Sequence, residues 1–317
     1  MQDILDKRLL IVMGKGGVGK SLAAAALAKL ALKRGKTVLL VQINTKDKIA
    51  GYLGCEAADE TLKEVMPGLF AVNIRPESAM KEYALLQVRL ELIYKLVFEN
   101  RAVRYFLRAV PALNDLVVMG KIFYHVAQTD EASDRPRYDL VIVDAPPTGH
   151  GLFLLRLPQV MSSVVSTGPI HREALAMLER LRDPDHTAIN LVAIPEEMPV
   201  SETAEMYETI HRDYRMPLGA LFVNAVFPRL FEPDDEGRLE RLGRLLKDDP
   251  EAGELMRVAR TATARRQMSE RFIRELTRRV PLPQVQIPYF FTDRFDEATT
   301  ERVATIIEAG LNDYHGH

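Results

Sequence analysis

A chain of 317 residues with a formal net charge of −2 at pH 7 carries no bias toward nucleic acid or acidic membrane surfaces. Its 47% hydrophobic and 27% charged residues suit a soluble globular protein with a large buried core. One cysteine, Cys55, excludes an intrachain disulfide or cysteine cluster and reads as structurally incidental. Neither a leader nor a run of roughly 18 apolar residues is evident, so no transmembrane segment is expected and the chain reads as cytoplasmic.

In chain order, strands are predicted over Arg8 to Met13, Thr37 to Ile43, Leu69 to Ile74, Asp139 to Val143, Ala188 to Ile194, Leu218 to Asn224 and Pro283 to Ile287. Helical stretches alternate with them, which predicts an α/β fold with a doubly wound, mainly parallel sheet. The alternation breaks between roughly 78 and 128, where large apolar residues from Leu85 to Phe123 recur at helical spacing and Pro111 separates at least two helices. That stretch reads as a helical insertion whose apolar residues are offered either to the core or to a client. A second, polar helical block runs roughly from 233 to 279. Its arginines, Arg265, Arg266, Arg271, Arg274, Arg278 and Arg279, alternate with Glu270 and Glu275, the pattern of a solvated helix face rather than a nucleic-acid surface.

Between the first strand and an alanine-rich helix lies Gly14-Lys15-Gly16-Gly17-Val18-Gly19-Lys20-Ser21, which fits the phosphate-loop pattern G-x-x-x-x-G-K-[ST]. Glycines let backbone N–H groups close around phosphate oxygens, and the helix N-terminus adds positive potential. Gly14, Gly16, Gly17, Val18, Gly19, Lys20 and Ser21 are therefore nucleotide-binding candidates. Lys20 would sit on the β- and γ-phosphates, and the Ser21 hydroxyl would ligate magnesium. Lys15, near the start of the loop, would point away from its own nucleotide and be free for another chain's phosphate.

The later run Tyr138-Asp139-Leu140-Val141-Ile142-Val143-Asp144 is a buried strand ending in a carboxylate, placing Asp144 beside magnesium, by way of water. It continues Ala145-Pro146-Pro147-Thr148-Gly149-His150, with Leu157-Pro158 beyond.

These elements resemble a known family. Lys-Gly-Gly-x-Gly-Lys-Ser is similar to the deviant Walker A motif shared by ParA, MinD, nitrogenase iron protein and ArsA/Get ATPases, in which the early lysine crosses a nucleotide-sandwiched homodimer. The Asp144 to His150 segment resembles the switch II element D-T-A-P-T-G-H-T of the ArsA/Get branch in particular. Phe222-Val223-Asn224 and Val285-Gln286-Ile287-Pro288 are similar to the family's base-binding segments. The resemblance runs over nearly the whole chain and implies one P-loop ATPase domain over 1–317. It implies ATP and Mg2+ as ligands, Lys15 acting in trans with Lys20 and Asp144 in catalysis, adenine beside Asn224 and Pro288, and Gly149 and His150 as switch residues. A hydrophobic protein client is the partner it implies.

Three departures qualify that picture. After the second strand the family usually has S-T-D-P-A-H, whose aspartate activates water; here the chain reads Gln42-Ile43-Asn44-Thr45-Lys46-Asp47-Lys48, with Asn44 on the aspartate position. An amide orients water but is a poor proton acceptor, so slow hydrolysis is expected. Asp47 is the substitute to consider, although its offset of three residues aims it elsewhere. Secondly, a lone cysteine supplies neither the paired-cysteine zinc site of tail-anchored-protein targeting members, nor the arsenite site of the pumps, nor the iron-sulfur site of the nitrogenase reductase. Thirdly, one phosphate loop stands where the tandem pump has two, so a homodimer would supply the second. The alternatives are a ParA/MinD-like positioning switch at membrane or DNA, and a P-loop small-molecule ligase or kinase. The first needs a basic surface or a terminal amphipathic helix, whereas Asp296 to Asn312 is acidic and polar; the second lacks an evident acceptor site.

Overall fold

The computed structural model describes residues 3–79, 111–130, 133–232, 235–246 and 249–315. The apolar runs predicted as strands all enter one sheet: β1 (Leu9–Gly14), β2 (Val38–Ile43), β4 (Leu69–Ile74), β5 (Leu140–Asp144), β6 (Thr187–Ala193), β7 (Leu218–Val226) and β8 (Gln284–Pro288). With β3 (Lys63–Met66) added, the sheet has eight strands in the order β3-β4-β2-β5-β1-β6-β7-β8. The pairings are parallel except β3 with β4. The α/β, doubly wound, mainly parallel fold expected of a P-loop ATPase is what the chain adopts. Sequence reading missed β3 because Lys63-Glu64-Val65-Met66 is short, half polar and only partly buried, as a sheet edge allows.

Nearly uninterrupted apolar strands need cover on both faces. On one side Leu9, Ile11, Met13, Val141 and Val143 pack under helices α3 (Pro111–Ala127), α4 (Thr148–Val164), α5 (Pro169–Arg182), α6 (Glu197–Glu208) and the last turns of α8 (Pro250–Arg279). On the other, Leu10, Val12, Leu40 and Ile142 lie under α1 (Lys20–Lys33), the short α2 (Ile49–Leu53) and α9 (Glu297–His315). Ten residues of α1, Leu22 to Ala28 among them, are buried. Its alanines are what a helix confined between the sheet and α9 requires.

Of the predicted helical insertion, residues 80–110, with Leu85 to Phe106, lie outside the described residues. In the described part, the choice left open between core and client falls to the core. Val117, Val118, Met119, Ile122 and Phe123 on α3 are buried in the core, so this apolar stripe is spent on the sheet. In the second helical block, α7 (Asp235–Leu245) precedes α8. Its arginines are largely engaged: Arg266 with Glu270, Arg279 with Glu275, and Arg265 over the Phe227 ring. Among the described residues no helix is long and apolar enough to cross a membrane.

Candidate nucleotide site

The carboxyl ends of β1, β2 and β5, three adjacent strands, open onto a cleft of about 370 Å³. Its walls bring together Gly16, Gly17, Gly19, Lys20, Ser21, Asn44, Asp144 and His150, candidates drawn from three separated stretches of sequence. The backbone explains two glycines of the loop. A Cβ on Gly14 would stand 2.3 Å from the Val192 carbonyl oxygen, and one on Gly19 would stand 2.3 Å from Asn224 Nδ2. Gly19 also has φ near +101°, where a side chain is strained, and it caps the start of α1.

Lys20 and Ser21 then begin α1, which fixes both side chains at the N-terminus of a buried helix. Lys20 Nζ donates to the Lys15 carbonyl oxygen at 3.0 Å, and Ser21 Oγ donates to Asp144 Oδ2 at 2.6 Å. Burial pushes the Lys20 ammonium below the usual lysine range; Asp144 opposes this and Lys48 adds to it. Burial likewise raises the Asp144 carboxyl, against the Ser21 hydrogen bond and the charges of Lys20 and Lys48. Each charge is thus held at a cost that a polyanion with its cation would relieve. On the strand beside it, Gln42 is in register with Asp144, and both its amide atoms are buried without a hydrogen-bond partner. A hydroxyl, a carboxylate and an unsatisfied amide are hard donors that fit hydrated magnesium.

Other candidates lie outside the cleft walls. Lys15 Nζ is 2.5 Å from Glu202 Oε1 on α6, so in this chain it faces a carboxylate. Asn224 Nδ2 donates to the Val18 carbonyl at 2.9 Å, which ties β7 to the loop, while the Val18 side chain is in the core. Pro288 ends β8, followed by Tyr289, whose N–H bonds the Val226 carbonyl. Asp47 spends its carboxylate on backbone: Oδ1 accepts from Ile49 N at 2.9 Å and Oδ2 from Ala58 N at 3.0 Å. It ties down the loop rather than facing the cleft. Gly149 is exposed, with open space where a Cβ would stand.

Residues 7–178 match the family model described as "Anion-transporting ATPase".

The chain belongs to the anion-transporting ATPase family, the ArsA/Get-type ATPases, and is an ATP-hydrolysing enzyme.

It is 34% identical over 239 residues to "ATPase BagA" of Mycobacterium tuberculosis, covering 72% of this chain and 68% of that protein. It is 26% identical to "Putative arsenical pump-driving ATPase 2" of Aquifex aeolicus, over 72% of this chain and 83% of that one. It is also 24% identical to "ATPase GET3" of Kluyveromyces lactis, over 73% and 74% of the two chains. What sequence reading missed in this ATPase is polar support. Lys48 and Tyr52 line the cleft, and burial with the nearby Asp144 charge raises the Tyr52 hydroxyl. Asn73 on β4 clamps the loop after β2, its Nδ2 donating to the Thr45 carbonyl at 2.6 Å and its Oδ1 accepting from Thr45 N at 3.4 Å. Lys48 was recoverable as a cation in the Asn44 to Lys48 segment. Asn73 carries no sequence signal, because only the fold makes it a neighbour of Thr45.

Proposed function

We propose that this ATPase is a slowly hydrolysing, Mg2+-dependent homodimer whose nucleotide state gates a client-binding or regulatory surface in the cytoplasm. The observation that carries the reading is the convergence of Lys20, Ser21 and Asp144 at one corner of a glycine-walled cleft, with Ser21 Oγ 2.6 Å from Asp144 Oδ2. The backbone of Gly16, Gly17 and Gly19 cradles phosphate, and Lys20 gives up its bond to the Lys15 carbonyl for a phosphate oxygen. Ser21 and Asp144 would hold magnesium, which when bound neutralises charge on the phosphates. Asn44 at the end of β2 orients the attacking water without accepting its proton, so positioning and charge carry most of the rate. Asn224 and Pro288 border adenine, and Lys15 leaves Glu202 to meet the phosphate of a second copy.

On this reading the chain is one ATPase unit, and Asn44, Gly149 and His150 are its nucleotide-sensing switch. A metalloid-pumping role is disfavoured by the cysteine count, since Cys55 is a single thiol where such a ligand needs several. The test is ATP hydrolysis with sedimentation of wild type and Lys20→Ala, with and without Mg2+. Hydrolysis should fall by at least ~10²-fold in the variant or without the ion, and wild type should form dimers only with ATP. Nucleotide-independent monomers that still hydrolyse ATP would remove the dimer from the proposal.

A further inference from the structure

His150 is the third residue of α4, in its first turn, and lines the cleft. Its Nε2 lies 2.8 Å from Asp115 Oδ1, a residue 35 positions earlier in the first turns of α3. Asp115 is only 9% exposed, whereas the His150 side chain is 46% exposed, so the pair sits where the core meets the cleft. A carboxylate largely withdrawn from water requires a donor, and the imidazole supplies it. An ionised carboxylate only accepts hydrogen bonds, which places the imidazole proton on Nε2 and leaves Nδ1 as the ring's other functional atom. The same contact joins the start of α4, immediately after the Asp144 strand, to the helix entered in sequence from residues 80–110. Beside it, Gly149 is exposed and has open space where a Cβ would stand, so no side chain at that position packs against the turn carrying His150.

We infer that Asp115 is a positioning residue for ATP hydrolysis: it fixes the tautomer and orientation of His150 at the cleft and couples the switch to α3. The inference rests on His150 acting as a switch residue. Asp115 makes no wall of the cleft, so its effect is expected in turnover rather than in nucleotide affinity.

The experiment is a double-mutant cycle of Asp115→Ala and His150→Ala, read as single-turnover rate and ATP dissociation constant. Asp115→Asn serves as a shape-conserving variant, with melting curves to establish that each protein is folded. Asp115→Ala should slow turnover roughly 10- to 100-fold, the scale on which misplacement of a reacting group costs rate. ATP affinity should stay within about twofold, and the added loss in the His150→Ala background should be near zero, as for residues acting as one unit. Nitrogen-15 spectra of histidine-labelled protein should show His150 as the Nε2–H tautomer in wild type and as a mixture in Asp115→Asn. A His150→Ala enzyme as fast as wild type would overturn the switch reading and the inference with it. An impaired His150→Ala enzyme in which Asp115→Ala costs its full factor again, or an unchanged tautomer in Asp115→Asn, would overturn the pairing alone.

Discussion

At the residue scale, Asp144 is held in a form its surroundings oppose. Burial raises its carboxyl above the value near ~3.9 of an unfolded chain, in spite of Ser21, Lys20 and Lys48. For a folded-state value above the unfolded one, the associated stability is complete below the unfolded value and is lost as pH rises through the folded one. Ionising Asp144 in the ligand-free fold therefore carries a net cost. Asp144→Asn should raise the ligand-free melting temperature at pH 8 by about 2–4 °C per kcal/mol relieved. The gain should shrink as pH is lowered toward 4, because protonation of the wild-type group removes the cost, while Mg2+-dependent hydrolysis falls at least ~10²-fold. Melting curves across that range check it, and an Asn variant less stable than wild type at pH 8 contradicts the electrostatic account. Asn44 is the second such residue. Its φ of 43° is a left-handed conformation that Asn and Asp both tolerate, so Asn44→Asp exchanges the functional group without disturbing the backbone. If the missing base limits the rate, single-turnover hydrolysis should rise on the order of 10²-fold, the lower end of general-base contributions. An unchanged rate would show that Asn44 does not occupy the position of an activating base.

At the scale of elements, the β2–α2 loop illustrates what was legible and what was not. The strands were readable because parallel strands covered on both faces are continuous apolar runs, and the phosphate loop because its glycines are set by local backbone demands. The loop's anchoring was not readable. The offset of Asp47 already aimed it elsewhere, but not at its targets: its carboxylate caps Ile49 N and braces Ala58 N. Asn73 is 3% exposed and bonds both backbone groups of Thr45. Both roles come from tertiary neighbours at separations no periodicity encodes. The same holds for the apolar stripe of α3, whose spacing is equally that of a core helix and of a binding face. Two substitutions follow. Asn73→Ala should cost about 1–3 kcal/mol, the usual effect of leaving partners of a buried hydrogen bond unmet. Asp47→Ala should weaken ATP binding through the loosened loop while leaving the pH dependence of turnover unchanged. Denaturant unfolding and equilibrium ATP binding measure both, and an Asp47→Ala enzyme with normal affinity but lost turnover would restore Asp47 as a base.

At the scale of the whole molecule, the proposed dimer would make Lys15 and Glu202 the link between the nucleotide loop and assembly. In this chain the ammonium sits 2.5 Å from the Glu202 carboxylate, with both side chains about a third exposed. Ion pairs in such surroundings contribute about 0–1 kcal/mol, because water and side-chain entropy offset most of the attraction. Glu202 can therefore hold Lys15 away from its own cleft while yielding it readily to the concentrated charge of a partner's triphosphate. Under the proposed dimer, closure requires that exchange, and removing Glu202 lowers its cost by no more than the pair is worth. Glu202→Gln should tighten ATP-dependent self-association by up to about fivefold, since ~1 kcal/mol corresponds to that ratio. Lys15→Ala should abolish both association and the hydrolysis that depends on it. Sedimentation with a non-hydrolysable ATP analogue, over a range of protein concentration, gives the two constants directly. Added salt should narrow the gap between Glu202→Gln and wild type, because the exchanged pair is screened. A Glu202→Gln chain that associates no more tightly than wild type would leave the ion pair without a part in assembly. A Lys15→Ala chain that still dimerises and turns over ATP would mean that the lysine does not work across an interface.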